Sequence, residues 1–115
     1  MNILTFDVEE WFHLLDFDAT RTEDKWDTYE VRIHDNVDRV FRILDETDTK
    51  ATFFIIGWVA KKYPELVKAI GEQEMEIGTH SNTHPDMTGL GSSQIELELE
   101  TSINSIKKIT GKDVT

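Results

Sequence analysis

Three short segments of this chain are rich in hydrophobic residues, and stretches that contain helical spacing separate them. The segments are Asn2–Phe6, Lys50–Ile56 and Met75–Gly78. The second segment is the clearest, because its apolar residues form a run and do not alternate with polar ones. Such a run is typical of a strand that is buried on both faces, as in parallel sheets. The pattern therefore predicts three short strands.

Between the first two strands, one apolar stripe recurs at helical spacing. Asp35 or Asn36 is suited to cap a helix there, because both side chains accept hydrogen bonds from exposed N–H groups of the first turn. The spacing predicts a helix that begins at Val37 and fades near 47–49. The residues of its stripe are Val37, Val40, Phe41 and Leu44.

Two further helices are predicted after the second and third strands. The first covers roughly 58–70, and Pro64 within it predicts a break followed by a new first turn. The other opens at Ser93–Glu96, a capping-box sequence, and ends at Gly111. Its apolar face is expected to contain Ile95, Leu99, Ile103 and Ile106.

The segment 11–35 shows no sustained period, although it is rich in aromatic and acidic residues. A structureless loop of this length is uncommon in a compact domain and is often functional. Two interpretations remain open, a loop that faces a substrate and a loop that packs against a neighbouring element. His13 and His34 are expected to be surface or packing histidines rather than ligands.

Alternating strands and helices predict an α/β fold with a parallel sheet, open or barrel-like. In such sheets, ligands bind at the carboxyl ends of the strands. Asp7 and Glu9 follow the first predicted strand, and His80 and His84 follow the third. We therefore expect these four side chains to lie on the same rim of the sheet.

The length and composition of the chain exclude several kinds of partner and metal ligand. The chain has 115 residues, which fits a single domain, and a formal net charge of -11. That charge argues against nucleic acid or an anionic membrane as the partner, because both would be repelled. There are no cysteines, so any metal must be held by nitrogen and oxygen. No membrane-spanning run or signal peptide is seen, so a cytoplasmic location is expected if Met1 is the true start.

The paired histidines are the main candidate for chemistry. His80 and His84 are four residues apart, and neutral imidazole is the commonest metal ligand among side chains. Two histidines and one carboxylate leave open positions on an ion such as zinc, which lowers the pKa of a bound water. Asp7 and Glu9 offer one carboxylate for the metal and one for proton removal. The alternative is a pair of loop histidines that are bonded only to the backbone.

Three segments carry a resemblance to a known family. They are Leu4–Glu9, Lys50–Gly57 and Glu76–His84, and their order and spacing cover nearly all of the chain. The sequence resembles the polysaccharide deacetylases of the NodB-homology type, family four of the carbohydrate esterases. The version with Asp-Val-Glu-Glu-Trp-Phe looks like a subgroup linked to exopolysaccharide or surface-glycan synthesis.

The resemblance implies a role for each matching residue. Asp7 is expected to be the general base, and His80 and His84 are expected to bind a divalent metal, with zinc as the first candidate. The family usually has a second aspartate where this chain has Val8. Glu9 is the expected replacement as third ligand, with Glu10 as the alternative. The implied substrate is an N-acetylated glycan, on which the aromatic ring of Trp11 is a candidate stacking surface.

The resemblance also implies a fold and indicates how much of that fold this chain is expected to form. Residues 1–115 are expected to form the N-terminal portion of a deformed (β/α)7 barrel. The family barrel continues with an arginine-containing segment, further strands and a late histidine that acts as general acid. An isolated piece ending at Thr115 is therefore expected to be inactive and, if folded, to self-associate through exposed sheet edges and apolar surface.

Three other functional interpretations remain open from the sequence. A related enzyme class opens cyclic amides or ureides, and the residues that separate it from the deacetylases lie mostly beyond Thr115. A non-catalytic metal- or glycan-binding module is the second alternative, and the Val8 departure favours it. A structural domain without metal is the third.

Overall fold

A three-stranded parallel sheet forms the centre of the molecule. The computed structural model describes residues 1–115. The strands are β1 (Thr5–Val8), β2 (Thr52–Ile55) and β3 (Glu76–Thr79), in the order β1-β2-β3. Val8, Ile55 and Thr79 lie level with one another at the carboxyl ends. The predicted α/β class with a parallel sheet is therefore confirmed.

Four α-helices pack with this sheet. They are α1 (Ile33–Glu46), α2 (Gly57–Lys62), α3 (Pro64–Glu72) and α4 (Ser92–Thr110). The predicted break at Pro64 is confirmed, because α3 begins there. Short 3-10 helices occupy Trp11–His13, Asp18–Thr20, Glu23–Thr28 and Met87–Gly89. The structure contains no helix whose length and hydropathy together suit a membrane span.

One hydrophobic core joins the helices to the sheet. Phe53 and Ile55 of β2 are buried, whereas Thr52 and Phe54, which alternate with them, are partly exposed. The prediction that this strand is buried on both faces is therefore wrong, because the helices cover the Phe53 side more completely. The core side chains that come from helices include Val37, Leu44, Val59, Val67, Ile70 and Ile106.

Two predicted boundaries shift by several residues. Strand β1 ends at Val8, so Asp7 lies inside the strand and pairs with Phe54 rather than following the strand end. Helix α1 begins at Ile33, before the predicted caps Asp35 and Asn36. The reason is a distant cap, because Glu10 Oε1 accepts hydrogen bonds from the backbone N–H groups of Arg32 and Ile33 at 2.8 and 3.0 Å.

Helix α4 also starts differently from the prediction. Its N-cap residue is Gly91, whose N–H donates to Gln94 Oε1 at 2.9 Å, so the expected capping box at Ser93 is wrong. Gly111 ends the helix with φ of 67°, as predicted from its freedom in the left-handed region. Of the expected apolar face, Ile106 is fully buried, whereas Leu99 is exposed.

The segment between β1 and α1 is not structureless. Its three 3-10 helices place Phe12 and Trp26 in the interior, with exposed fractions of 0% and 3%. Both rings pack against Trp58 at centroid separations of 5.8 and 5.5 Å. The interpretation of this segment as a packing loop is therefore confirmed for its buried aromatic residues. That packing matters for function, because His13 belongs to the same cluster.

Candidate metal centre

The ends of β1 and β3 bring one carboxylate and two imidazoles together. Glu9 follows β1 directly, and His80 follows β3. Glu9 Oε2 lies 3.9 Å from Nε2 of His80 and 3.9 Å from Nε2 of His84. All three residues are partly buried, and their ligand atoms lie within 4.8 Å of one another. The structure therefore unites three of the sequence-predicted site residues on the expected rim.

A tight turn after β3 directs both imidazoles to the same point. Ser81 and His84 adopt φ values of 62° and 55°, in a region that residues with a side chain rarely occupy. The turn is closed by the His84 N–H, which donates to Ser81 Oγ at 3.0 Å. Strained backbone of this kind persists only where surrounding contacts impose it.

Helix α2 supplies part of those contacts. The N–H groups of Gly57 and Trp58 donate to the backbone oxygens of Ser81 and Asn82 at 2.9 and 2.8 Å. A side chain at position 57 would not fit, because its Cβ would lie 2.5 Å from Asn82 Oδ1 and 2.9 Å from Ser102 Cα. Gly57 therefore begins α2 and allows the histidine turn to approach it.

Helix α4 supplies the other part. The carboxylate of Glu98 accepts hydrogen bonds from the N–H groups of Asn82 and Thr83 and from the Thr83 hydroxyl. This contact of Glu98 is not predicted from the sequence. The periodicity of α4 contains no signal for it, because the donors come from another element.

The hydrogen bond of His84 fixes its tautomer. His84 Nδ1 lies 2.7 Å from the backbone oxygen of His13. A carbonyl oxygen only accepts, so Nδ1 carries the proton in the neutral ring and Nε2 keeps a free lone pair. That lone pair is on the nitrogen nearest Glu9. Orientation of a ligand histidine by a backbone carbonyl is a common feature of metal sites.

His13 itself is a buried, neutral histidine. Its ring Nδ1 accepts the Glu10 N–H at 2.8 Å, and its exposed fraction is 1%. Burial, with smaller contributions from the nearby His84 and His80, lowers the pKa of His13 to about 3. His13 is thus a packing histidine, as expected. Exposed His34 packs its ring against Tyr63.

One carboxylate oxygen of Glu9 has no hydrogen-bond partner. This atom, Oε2, is buried. Burial raises the pKa of the Glu9 carboxyl, His84 and His80 oppose that rise, and Asp7 adds to it. A buried carboxylate without a donor is costly unless a cation or proton compensates it. The atom without a partner faces both free imidazole nitrogens.

A divalent cation fits this donor set. Zinc binds histidine nitrogen and carboxylate oxygen at about 2.0–2.2 Å, which separates tetrahedral ligand atoms by about 3.4 Å. The two Glu9–histidine separations of 3.9 Å need to shorten by only about 0.5 Å. Three protein ligands also leave a position open, which is the arrangement of catalytic rather than structural zinc sites.

Asp7 lies beside this cluster rather than inside it. Its Oδ2 atom is 3.9 Å from His80 Nε2, and its side chain is 53% exposed. Glu9, by contrast, is 16% exposed. An exposed carboxylate at the edge of the site can reach a water molecule without displacing a ligand.

The alternative third ligand, Glu10, points elsewhere. Its carboxylate caps α1 through the N–H groups of Arg32 and Ile33, and its exposed fraction is 2%. Glu10 is not among the residues that converge with the histidines. Alternation along an extended segment explains the difference, because successive side chains leave it on opposite faces.

Trp11 has mainly packing contacts. Its indole N–H donates to the Glu30 backbone oxygen at 3.0 Å, and the Arg32 guanidinium lies 5.7 Å from the ring centroid. Tyr29 packs on it at 5.2 Å, which leaves the residue 36% exposed. The structure does not bring Trp11 against the histidines, so its role in substrate binding stays a prediction.

Comparison with known sequences agrees with this geometry. A profile of the family described as polysaccharide deacetylase matches residues 4–115. The peptidoglycan-N-acetylmuramic acid deacetylase PdaA of Bacillus subtilis is 36% identical over 74 residues, covering 64% of this chain and 28% of that protein. A chitooligosaccharide deacetylase of Sinorhizobium fredii is 37% identical over 60 residues, 52% of this chain and 28% of that protein.

A solved structure agrees as well. The crystal structure of BA3943, a CE4 family pseudoenzyme from Bacillus anthracis, matches with a TM-score of 0.73 and 28% identity. The match covers 97% of this chain and 32% of that chain. The chain thus spans about a third of the length of the relatives it matches. On the evidence of the profile, the relatives and the fold, the chain belongs to the polysaccharide deacetylase family.

Proposed function

We propose that this chain carries the metal-binding part of a hydrolase that removes N-acetyl groups from amino sugars of a polysaccharide. Glu9, His80 and His84 are the proposed ligands of a divalent cation, and Asp7 is the proposed general base. The observation that carries the proposal is the buried, unpartnered Oε2 of Glu9, 3.9 Å from Nε2 of both histidines.

The chemistry follows from the placement of the two carboxylates. When bound, the cation polarises an amide carbonyl and lowers the pKa of a water molecule. Glu9 is mostly buried, and its Oε2 atom lies between the two histidines, which suits a ligand. Asp7 is exposed beside His80, where its carboxylate would accept a proton from a water molecule. The protonated His84 Nδ1 donates to the His13 carbonyl, so His84 does not itself serve as the base.

The nature of the cation follows from the donor set. Two imidazole nitrogens and one carboxylate oxygen, with no thiolate in the chain, suit zinc and other borderline divalent ions. Zinc is the first candidate because it accepts three protein ligands and one open position.

The substrate class is supported by the relatives. Their names describe enzymes that act on N-acetylmuramic acid of peptidoglycan and on chitooligosaccharides. Both substrates contain N-acetylated amino sugars. We therefore propose an N-acetylated glycan for the complete protein and expect the 115 residues alone to be inactive. Exposed apolar side chains such as Ile3 and Leu97 favour self-association of this piece.

The first test is metal binding. Zinc is titrated calorimetrically into metal-free protein, beside a variant with His80→Ala and His84→Ala. One-to-one binding that is lost in the variant supports the proposed ligand set. Equal binding by both proteins, or no binding by the parent, contradicts it.

The second test separates the base from the ligands. Asp7→Asn is expected to bind zinc about as well as the parent, because Asp7 is not a proposed ligand. In the complete protein the same variant is expected to lose at least about 100-fold in acetate release from N-acetylated chitooligosaccharide, the usual contribution of a general base. Full activity in that variant contradicts the proposed role of Asp7.

A non-catalytic, metal-binding module is the second candidate function. One observation favours it, the likeness to the structure described as a CE4 family pseudoenzyme. Under this alternative the complete protein binds zinc through the same three residues and releases no acetate. The paired measurements of zinc affinity and acetate release on one sample therefore decide between the two functions.

A further inference from the structure

The turn that carries both histidines is held by hydrogen bonds to its backbone on two sides. On one side, α2 donates to the carbonyl oxygens of Ser81 and Asn82. On the other side, the N–H groups of Asn82 and Thr83 donate to Glu98 Oε2 at 2.9 and 3.0 Å. The Thr83 hydroxyl donates to the second oxygen, Oε1, at 3.1 Å. One side chain thus receives three hydrogen bonds from the segment between the two histidines.

The Glu98 carboxylate has no cationic partner. The ion pairs of the chain involve other residues, and no lysine or arginine lies within pairing distance of Glu98. Its neighbours on α4, Glu96 and Glu100, are exposed, whereas Glu98 is half-buried. The hydrogen-bond partners of the Glu98 carboxylate are therefore the N–H groups and the hydroxyl of the histidine turn.

The turn requires such support. Ser81 and His84 both occupy the left-handed region of backbone space, which is unfavourable for residues with a side chain. Relaxation of either residue would change the backbone path of the turn that carries His84. Helix α2 restrains the carbonyl groups, and Glu98 restrains the N–H groups.

We propose that Glu98 is a positioning residue that fixes the two histidines in a metal-ready arrangement before the metal binds. The inference rests on the proposed function, because it concerns the same ligands. Glu98 touches neither imidazole in the hydrogen bonds of the structure and acts through the backbone of Asn82 and Thr83. Support of ligands by such outer contacts commonly contributes 10–100-fold to metal affinity.

Two conservative substitutions separate position from charge. Glu98→Gln keeps the length and one carbonyl oxygen, which still accepts both N–H groups, and its amide donates to the Thr83 hydroxyl. Glu98→Asp keeps the charge but shortens the side chain by one methylene, so it does not reach the turn. Glu100→Gln removes a charge from the exposed face of α4 and serves as the matched control.

Zinc affinity and amide exchange are measured for the parent and the three variants, at a temperature where all are folded. Glu98→Asp is expected to bind zinc about 10–100-fold more weakly. Glu98→Gln and Glu100→Gln are expected to stay within about threefold of the parent, a smaller change than the range expected for Glu98→Asp. In metal-free protein, the Asn82 and Thr83 amides are expected to exchange at least about 10-fold faster in Glu98→Asp only, as for locally opened backbone.

The results separate the two proposals. A parent that binds no zinc contradicts the proposed function, and the role of Glu98 with it. A parent that binds zinc while Glu98→Asp binds equally well contradicts the role of Glu98 alone. Weak binding by Glu98→Gln together with parental binding by Glu98→Asp also contradicts it, because charge rather than position would then account for the affinity.

Discussion

The imidazole Nδ1 of His84 lies 2.7 Å from the backbone oxygen of His13, a residue 71 positions earlier in the chain. The bond joins the turn after β3 to the short 3-10 helix after β1. That helix is held in turn by the Glu10 N–H, which donates to the His13 ring. The orientation of a proposed metal ligand thus depends on how the segment after β1 packs.

The first prediction concerns the tautomer of His84. Because its Nδ1 faces a carbonyl oxygen, the neutral ring is expected to carry its proton on Nδ1 before any metal is added. Long-range proton–nitrogen NMR correlation of selectively labelled, metal-free protein measures this directly. Observation of the Nε2-protonated form as the major tautomer would mean that the bond to His13 is absent in solution.

The second prediction separates the two adjacent glutamates. Glu9→Gln is expected to lose zinc binding with little loss of stability, because the replaced oxygen has no hydrogen-bond partner. Glu10→Ala is expected to lower the free energy of unfolding by about 2 kcal/mol, because two N–H groups of α1 lose their acceptor.

The measurements are urea unfolding of metal-free protein and zinc titration of each folded variant. Glu10→Ala is expected to retain zinc binding with one-to-one stoichiometry. Loss of zinc binding in folded Glu10→Ala, with binding retained in Glu9→Gln, reverses the assignment of the third ligand.

Much of the fold was predictable because it is encoded locally. The apolar run Lys50–Ile56 contains β2, and the apolar stripe of α1 places Val37 and Leu44 in the core. Pro64 marks the start of α3 because proline restricts its own φ angle. Gly111 marks the end of α4 because glycine adopts the left-handed conformation without strain. The alternation of strands and helices then predicts a parallel sheet. In such a sheet, the segment with Glu9 and the segment with His80 and His84 lie at the same edge.

The features that were missed depend on contacts between distant segments. The start of α1 is set by Glu10, which accepts hydrogen bonds from the first N–H groups of the helix. The sequence of the helix itself does not predict this contact. The sequence pattern likewise does not predict that Glu98 and Gly57 support the histidine turn, since neither residue lies in the turn. Periodicity reports which face of an element is apolar, but not which backbone donors a polar side chain will meet.

The third prediction tests the close approach of α2 to the histidine turn. Gly57→Ala places a methyl group where Asn82 Oδ1 and Ser102 Cα leave no room. Overpacking of this kind costs about 1–3 kcal/mol of stability. Displacement of Asn82 is also expected to weaken zinc binding. The matched control is Gly89→Ala, since nothing lies within 4 Å of a Cβ at that position.

Both variants are compared by urea unfolding and by zinc titration. Gly89→Ala is expected to remain within about 0.5 kcal/mol of the parent, as for surface substitutions in general. Equal stability and equal zinc affinity of Gly57→Ala and Gly89→Ala would show that the turn tolerates a side chain at position 57.

The fourth prediction concerns the pH dependence of stability in metal-free protein. Burial, followed by His84 and His80, lowers the pKa of His13 from 6.5 to about 3. Below pH 6.5 the His13 imidazole of the unfolded chain binds a proton. In the folded protein the same imidazole stays neutral until the pH falls to about 3. Stability from this group is therefore fully present above pH 6.5 and declines as the pH falls, by up to about 1.4 kcal/mol per pH unit.

His13→Asn isolates that contribution, because the asparagine oxygen can still accept the Glu10 N–H and does not titrate. The raised pKa of Glu9 acts in the opposite direction, since protonation of its buried carboxyl relieves an unfavourable charge, but it is present in both proteins. Urea unfolding between pH 4 and 7 in the presence of a chelator is therefore expected to show a steeper acid loss of stability in the parent. Parallel curves would mean that His13 accepts a proton in the folded protein, and that the aromatic cluster around it admits water.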